Sequence, residues 1–252
     1  MACAIAFGLL ASGCAANDIF VSDRSSAKLN ALKAKGIGVS ENNLDTVSFA
    51  DVLILAVKPN IIPIVLKEIK NDIGEKIVVS IAAGVEISKI ESFIGKDKKI
   101  IRTMPNTPAQ VRCGMTVISP NKNISENELS SICEIFNAVG DTVVLEEKHI
   151  NTATALHSSS PAYIYMMIDA MANAGLKYGI PKDTALKIVA KAVEGSAKMV
   201  METKEHPAVL CDKVCSPGGT TIAAVWALEE KGFKAAIEDA IDACVKKADE
   251  LS

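Results

Sequence analysis

The chain has 252 residues, of which 49% are hydrophobic and only 4% aromatic, so its apolar content is mainly Ala, Val, Ile and Leu. This composition excludes a disordered chain and is typical of buried parallel strands packed against helices. The net charge is −3 and the basic residues are scattered, which predicts no binding to nucleic acid. The seven cysteines include no C-x-x-C pair, and the three histidines lie far apart. We therefore expect no disulfide framework and no metal site, and we place the protein in the reducing cytoplasm.

The first 17 residues carry no charged side chain, and two interpretations of them compete. One is a short export signal of the lipoprotein type that ends at Cys14. The other is a buried helix over Ala2–Ser12 that stops at Gly13, because glycine adopts the left-handed conformation at little cost. No Lys or Arg precedes Arg24, whereas an export signal has a positive start, so the buried helix is favoured. No stretch reaches the roughly 18–20 apolar residues that cross a bilayer.

Short hydrophobic runs alternate with helical segments through the first half of the chain. This rhythm predicts βα units and a mostly parallel sheet of the Rossmann type, covered on both faces by helices. The runs are residues 19–21, 52–57, 77–81, 100–103, 115–119 and 142–145.

After about Glu147 the strand signal stops and the sequence is helical. We therefore expect two domains, a Rossmann-like domain over residues 1–147 and an all-α domain over 148–252. Met166, Met167 and Met171, at helical spacing, are expected in the core or at a subunit interface. The predicted helices are residues 151–178, with a break near 158–161, and then 182–203, 221–230 and 232–251.

Ligands of open α/β sheets bind at the carboxyl ends of the strands. Here those ends carry the loops Lys58-Pro59, Ala82-Ala83-Gly84 and Met104–Pro108. Asp23 and Arg24 follow the first visible strand, where an acidic residue favours the ribose of NAD and an arginine favours the 2′-phosphate of NADP. The sequence offers both, and a solvated turn before a helix is an equally good explanation.

In the helical half, Ser216–Thr221 (SPGGTT) precedes an apolar helical run. The glycines allow a ligand to approach the main chain, and the free N–H groups of a helix start attract a carboxylate or a phosphate. A well-capped helix without a ligand is the competing interpretation. His149, His157 and His206 have no partners at ligand spacing and are expected to be surface or packing residues.

Five segments in the same order resemble the pyrroline-5-carboxylate reductase family along the whole chain: Ala56–Pro63, Met104–Pro108, Ser159–Tyr163, Glu205–Pro207 and Asp212–Ile222. The resemblance implies reduction of L-1-pyrroline-5-carboxylate to L-proline, the last step of proline synthesis, with NADPH or NADH as hydride donor. It also implies a Rossmann domain followed by a helical domain that forms a homodimer, or a larger ring, with active sites at the interface.

The resemblance further implies roles for individual residues. Thr221 corresponds to the hydroxyl beside the ring nitrogen and is the catalytic candidate, and the substrate carboxylate is expected at the preceding loop. Lys213 and Glu147 are weaker candidates, for the cofactor and the substrate respectively. The substrate-binding residues are Ser216, Gly219, Thr220, Thr221 and Glu147; the cofactor-binding residues are Asp23, Arg24, Asn43, Ala56, Val57, Lys58, Pro59, Ile81, Ala82, Ala83, Asn106, Thr107 and Lys213.

The chain departs from the family at its start, where a first strand and a glycine-rich turn are missing. The missing strand would lie between the runs at 19–21 and 52–57, so its loss is expected to leave open backbone edges in the sheet. Either the chain is a mis-started or truncated copy of an ordinary enzyme, or it is a degenerate paralogue that acts only as a helical dimerisation module. The first is favoured because every later motif is present. A second departure is His157–Ser160, where the family more often alternates Ser and Gly.

Overall fold

A computed structural model describes residues 1–250 of the chain. The fold divides into two compact units. The first comprises Met1–Ser159 together with the chain from Val245 onward, and the second is Ser160–Cys244.

The first unit contains the strands. All six predicted strands are present, and the prediction missed the short strand β2. In the described residues, β1 and β2 form a parallel pair, and β3 to β7 form a five-stranded sheet in sequence order. The strands are β1 Phe20–Ser22, β2 Gly38–Ser40, β3 Val52–Leu55, β4 Ile77–Ser80, β5 Lys99–Pro105, β6 Gly114–Pro120 and β7 Gly140–Val144.

The five-stranded sheet is mostly parallel, as predicted, with one antiparallel step between β5 and β6. Residues 106–113 join these two strands through a single 3-10 turn. A parallel pair needs a crossover of about a dozen residues or more. This connection is too short for β6 to run parallel to β5, so the two strands are antiparallel.

Helices cover both faces of the centre of this sheet. Val78 and Ile100 pack into a core with α4 and α5, while Val79 and Ile101 pack with α1 and α6 on the other face. The prediction of a sheet covered on both faces is wrong for β7, where Val143 and Val144 are 38% and 44% exposed because the strand lies at the sheet edge. The helices of this unit are α1 Ala2–Ala11, α2 Ser26–Lys33, α3 Asn43–Phe49, α4 Ile62–Ile69, α5 Ile87–Ile94, α6 Glu126–Asn137 and α7 Ile150–Ala153.

The prediction that the amino-terminal segment is a buried helix is confirmed by α1. Gly13 adopts a left-handed φ of 99°. The N–H groups of Gly13 and Cys14 bond the carbonyls of Leu10 and Leu9 at 3.1 and 3.0 Å, as in a Schellman cap. At Gly8 a Cβ atom would lie 2.9 Å from the Ala138 carbonyl oxygen, so glycine allows α1 to pack closely against the turn before β7. Among the described residues, no helix is both long enough and apolar enough to cross a membrane.

The expected open edges are present. Within the described residues β1 pairs only with β2, and β3 pairs only with β4. Leu9 of α1 packs against the hydrophobic clusters of both sheets. Side-chain packing by α1 therefore connects two sheets that no hydrogen-bonded strand joins.

The second unit is helical. A π-helical turn, Thr154–Ser159, leads into it and accounts for the break predicted near residues 158–161. The helix at 182–203 has the predicted bounds, and α10 was not predicted. The predicted end of the last helix at Leu251 lies outside the described residues. The helices are α8 Ser160–Lys177, α9 Lys182–Thr203, α10 Pro207–Val214, α11 Thr220–Glu230 and α12 Phe233–Glu250, the last of which continues into the first unit.

Candidate active site

The candidate cofactor loops follow β3, β4 and β5. These strands are parallel neighbours, so their carboxyl ends lie at one edge of the sheet. The loops after β3 and β4 border an open cavity of about 290 Å³ lined by Pro59, Pro63 and Gly84 among others. Of the two small residues before Gly84, Ala82 is buried and Ala83 is exposed. The structure thus brings together the candidates Ala56, Val57, Lys58, Pro59, Ile81, Ala82, Ala83, Asn106 and Thr107.

Asp23 and Arg24 lie just beyond β1. The Asp23 carboxylate accepts hydrogen bonds from the Ser25 N–H at 2.8 Å and from the Lys28 ammonium at 3.1 Å. Partial burial raises the pKa of Asp23, but these hydrogen bonds and the nearby charge of Lys28 outweigh it and hold the pKa below its usual value. Arg24 is exposed. An ionised, already partnered carboxylate beside two cations makes this corner suitable for an anionic group.

Asn43 is the first residue of α3 and connects the end of β1 with α4. Its side-chain carbonyl accepts a hydrogen bond from Ser22 at 2.9 Å, and its amide donates to Glu68 of α4 at 3.0 Å. The side chain therefore fixes the end of β1 against α3 and α4.

Asn106 is 7% exposed and uses both ends of its amide within the protein. It donates to the carbonyl of His157 at 2.9 Å and accepts from the N–H of Met115 at 3.0 Å. Asn106 thereby shapes the loop after β5, and its neighbour Thr107 begins a 3-10 turn with an exposed side chain.

Glu147 lies in a polar network of the first unit. Its Oε1 atom accepts from the Ile87 N–H, at the start of α5, at 2.7 Å and from Arg102 at 3.2 Å. The Arg102 side chain is 4% exposed and also donates to Asn151 at 3.2 Å. Asn151 in turn donates to Asp249 of α12 at 2.9 Å. The Glu147 carboxylate thus neutralises a buried cation, and a contact with substrate stays a prediction for it.

The Ser216–Thr221 loop is in the second unit and begins with a type II turn. The Gly219 N–H bonds the Ser216 carbonyl at 3.0 Å, Pro217 occupies the second position, and Gly218 has a φ of 68°. At Gly219 a Cβ atom would collide with the Ser216 hydroxyl, so a larger residue would displace that hydroxyl from the start of α11. Gly219 is also the N-cap of α11, without a side-chain cap, which leaves the first N–H groups of the helix available. The start of α11 therefore has no side-chain cap, and anion binding there stays a prediction.

Lys213 has a partner of its own. Its ammonium contacts both carboxylate oxygens of Glu205 at 2.6 Å. His206 caps α10 by accepting the Ala208 N–H at 3.2 Å, and Pro207 fills the first helical position. The Glu205–Pro207 motif therefore starts and braces the helix that leads into the loop.

Sequence reasoning missed two charged residues of these regions. Lys28 lies in the first turn of α2, five residues after its partner Asp23, so the helix expected after Ser25 could have indicated it. Arg102 had no such signal, because a cation inside a hydrophobic strand is explained only by Glu147, which is 45 residues away.

The family models and relatives agree with this geometry. A model described as "Pyrroline-5-carboxylate reductase dimerisation" matches residues 147–251, and one described as "NADP oxidoreductase coenzyme F420-dependent" matches residues 1–84. The chain is 45% identical to a pyrroline-5-carboxylate reductase of Escherichia coli over 252 residues, covering 99% of this chain and 94% of the relative.

Solved structures give the same result. The chain resembles a pyrroline-5-carboxylate reductase of Coxiella burnetii with a TM-score of 0.95 and 37% identity, covering 100% of this chain and 94% of the other. It resembles a Plasmodium falciparum pyrroline carboxylate reductase with NADP bound, with a TM-score of 0.89, 30% identity and coverage of 99% and 93%. The chain therefore belongs to the pyrroline-5-carboxylate reductase family.

Proposed function

We infer that this chain reduces L-1-pyrroline-5-carboxylate to L-proline with NAD(P)H, the last step of proline biosynthesis. The observation that carries this conclusion is the nearly full-length similarity to reductases of that name, with 45% identity to the Escherichia coli enzyme. The loop before α11 supplies a matching chemical feature, an anion-binding helix start flanked by hydroxyls.

The substrate is a cyclic imine with a carboxylate, and we assign the carboxylate to the start of α11. The main-chain N–H groups there carry partial positive charge and lack acceptors within the helix. The hydroxyls of Ser216 and Thr220 flank them and add donors. Gly219 keeps the approach to the main chain open.

Reduction requires a hydride at the imine carbon and a proton at the ring nitrogen. The nicotinamide cofactor supplies the hydride when bound. We assign the proton to the Thr221 hydroxyl, which can donate to the nitrogen while it accepts a proton from water. No strong base is required, because holding both reactants in place is worth roughly 7–11 kcal/mol in the best intramolecular models.

For the cofactor, we propose that the residues at the carboxyl ends of β3, β4 and β5 hold its middle and its nicotinamide end. Asp23, Arg24 and Asn43 would hold the adenosine end. Because the Asp23 carboxylate already has two partners and Arg24 is exposed, we propose a preference for NADPH over NADH. Changing Arg24 to Ala should then raise KM for NADPH and leave KM for NADH unchanged.

We propose that residues 148–252 form the dimerisation domain of a homodimer, which can assemble further into a ring, and that the protein acts in the cytoplasm. Helices of this part expose large apolar side chains that water-facing helices usually lack. Tyr165, Met166, Tyr178, Val214 and Trp226 are each at least 60% exposed in the single chain. A second copy would cover such side chains, and light scattering measures the number of chains.

The direct test supplies the purified chain with NADPH and pyrroline-5-carboxylate and measures both NADPH oxidation and proline. Proline formation is expected. Thr221→Val, which removes only the hydroxyl, should lower kcat, whereas Thr184→Val, on the exposed surface of α9, should not. An unchanged kcat for Thr221→Val would contradict the role of Thr221.

The alternative is a paralogue without activity that acts only as a dimerisation module. The comparisons do not favour it, because the chain covers 94% of the Escherichia coli enzyme. A folded oligomer that forms no proline would support this alternative and contradict the proposed activity.

A further inference from the structure

His157 joins the π-helical turn Thr154–Ser159 to the end of β5. Its ring nitrogens Nδ1 and Nε2 lie 2.5 Å from the Ala153 carbonyl oxygen and 2.7 Å from the Met104 carbonyl oxygen. The carbonyl of His157 accepts from the Asn106 amide at 2.9 Å, and the next residue, Ser158, donates to the Pro105 carbonyl at 3.3 Å. Every residue of Met104–Asn106 is thus bonded to His157 or Ser158.

These bonds come where the sheet no longer holds β5 on one side. Strand β4 ends at Ser80, which pairs with Arg102, so Met104 has no partner from β4. Only β6 continues alongside, up to the pair of Pro105 with Thr116. The imidazole therefore contacts the end of β5, at a residue beyond the last one that pairs with β4.

The two ring contacts differ in what they hold. The contact of Nδ1 with Ala153 lies within one helical segment, four residues apart. The contact of Nε2 with Met104 crosses 53 residues and reaches the loop assigned to the nicotinamide. A neutral imidazole has one N–H and can donate to only one of the two carbonyls. The contact with Met104 is the one that can fix the loop, and it does so when the proton is on Nε2, the tautomer that the proposal requires.

Resting on the proposed function, we propose that His157 is a positioning residue for hydride transfer. Its Nε2–H bond to Met104 holds the loop carrying Asn106 and Thr107, and that loop sets the place of the nicotinamide against the imine carbon. The adenosine end is held elsewhere, near Arg24, so loss of this bond affects the reaction more than cofactor affinity.

Substitutions by Gln and by Asn separate the contact with Met104 from the contact with Ala153, and substitution by Leu removes both. The side-chain amide nitrogen of Gln lies where Nε2 lies, and that of Asn lies where Nδ1 lies. His157→Gln therefore keeps a donor for Met104, His157→Asn keeps one for Ala153, and His157→Leu keeps neither. For each variant we would measure kcat, KM and dissociation constant for NADPH, melting temperature, and the fluorescence of bound NADPH, which reports on the surroundings of the nicotinamide.

His157→Leu and His157→Asn should lower kcat about tenfold to a hundredfold, the effect of a reacting group displaced by about 1 Å, with the NADPH dissociation constant changed less than about twofold. His157→Gln should restore kcat to within about threefold of the parent, because its amide nitrogen replaces Nε2. The proposal is overturned if Leu keeps the parent kcat, if Gln falls as far as Asn, or if affinity and kcat fall together. If the parent chain forms no proline, the proposed function fails. In that case the fluorescence of bound NADPH still tests the positioning role of His157. His157→Leu and His157→Asn should change this signal, and His157→Gln should not.

Discussion

Glu147 and Arg102 form the only ion pair among the described residues whose cation is almost fully buried, and its two members should respond very differently to removal. In Glu147→Ala the guanidinium of Arg102 stays buried with Asn151 as its remaining partner, and the Ile87 N–H at the start of α5 loses its acceptor. Removing one partner of a buried pair costs about 3–5 kcal/mol. Because the Glu147 side chain is 31% exposed and water can replace part of the contact, we expect the lower end, about 3 kcal/mol.

Arg102→Met should cost less. Glu147 then keeps its bond from Ile87 and is hydrated through its exposed face, and Met fills much of the volume of the arginine stem. The main loss is the hydrogen bond to Asn151, about 1–1.5 kcal/mol. Urea unfolding at fixed protein concentration measures both values, and Asp169→Asn, which breaks an exposed pair with Lys182, is the control with an expected cost below about 1 kcal/mol.

The double variant Glu147→Ala/Arg102→Met tests why Glu147→Ala lowers stability. If the cost of Glu147→Ala comes from a stranded charge, adding Arg102→Met should recover stability, so the double variant should be more stable than Glu147→Ala alone. A double variant that is less stable would refute this reasoning. A further variant, Glu147→Gln, tests the predicted substrate role of Glu147. A raised KM for pyrroline-5-carboxylate that Arg102→Met, which also breaks the ion pair, does not show would place the Glu147 carboxylate in the binding site.

Three other changes probe different parts of the chain. Gly219→Ala forces the Ser216 hydroxyl away from the start of α11 and should raise KM for pyrroline-5-carboxylate about tenfold, the loss of one hydrogen bond to a charged group, while KM for NADPH stays within about twofold in the same assay. Glu128, whose pKa is lowered to about 2 by its hydrogen bonds with Lys99 and Ser125, stabilises the fold above its ordinary value of 4.5 and loses this contribution as pH falls toward 2. Melting curves of the parent and Glu128→Gln should therefore differ at about pH 6 and converge at about pH 2. A difference that stays constant between these pH values would contradict this role of the Glu128 carboxylate. Met166→Glu puts a charge on a side chain that is 74% exposed in the single chain, and light scattering should show a smaller assembly, whereas an assembly of the parent size would contradict the placement of Met166 at a subunit interface.

The fold could be predicted where local sequence decides it. Continuous apolar runs located β4 and β5 because both faces of those strands are buried, and Gly13 marked the end of α1 through its left-handed conformation. Strand β2 was missed because Gly38-Val39-Ser40 contains a single apolar side chain, whereas the equally short β1 follows an apolar run that begins at Ile19. The antiparallel direction of β6 depends on the short connection after β5, which a list of strands does not reveal.

In the candidate site, too, the features formed by neighbouring residues could be predicted and those formed by distant residues could not. Within Ser216–Thr221, the order Ser-Pro-Gly-Gly contains its own geometry, since proline and glycine occupy the two positions that a type II turn requires and the helix start follows at once. Such a loop is predictable because every interaction that shapes it joins residues at most a few positions apart. Asn106 and Glu147 are different, since their partners, His157 and Arg102, lie 51 and 45 residues away. The family resemblance indicated both as site candidates, but only the fold shows that each side chain is already engaged by the protein. In this chain, local motifs therefore indicate which groups can touch substrate, and long-range contacts determine which groups hold those motifs in place.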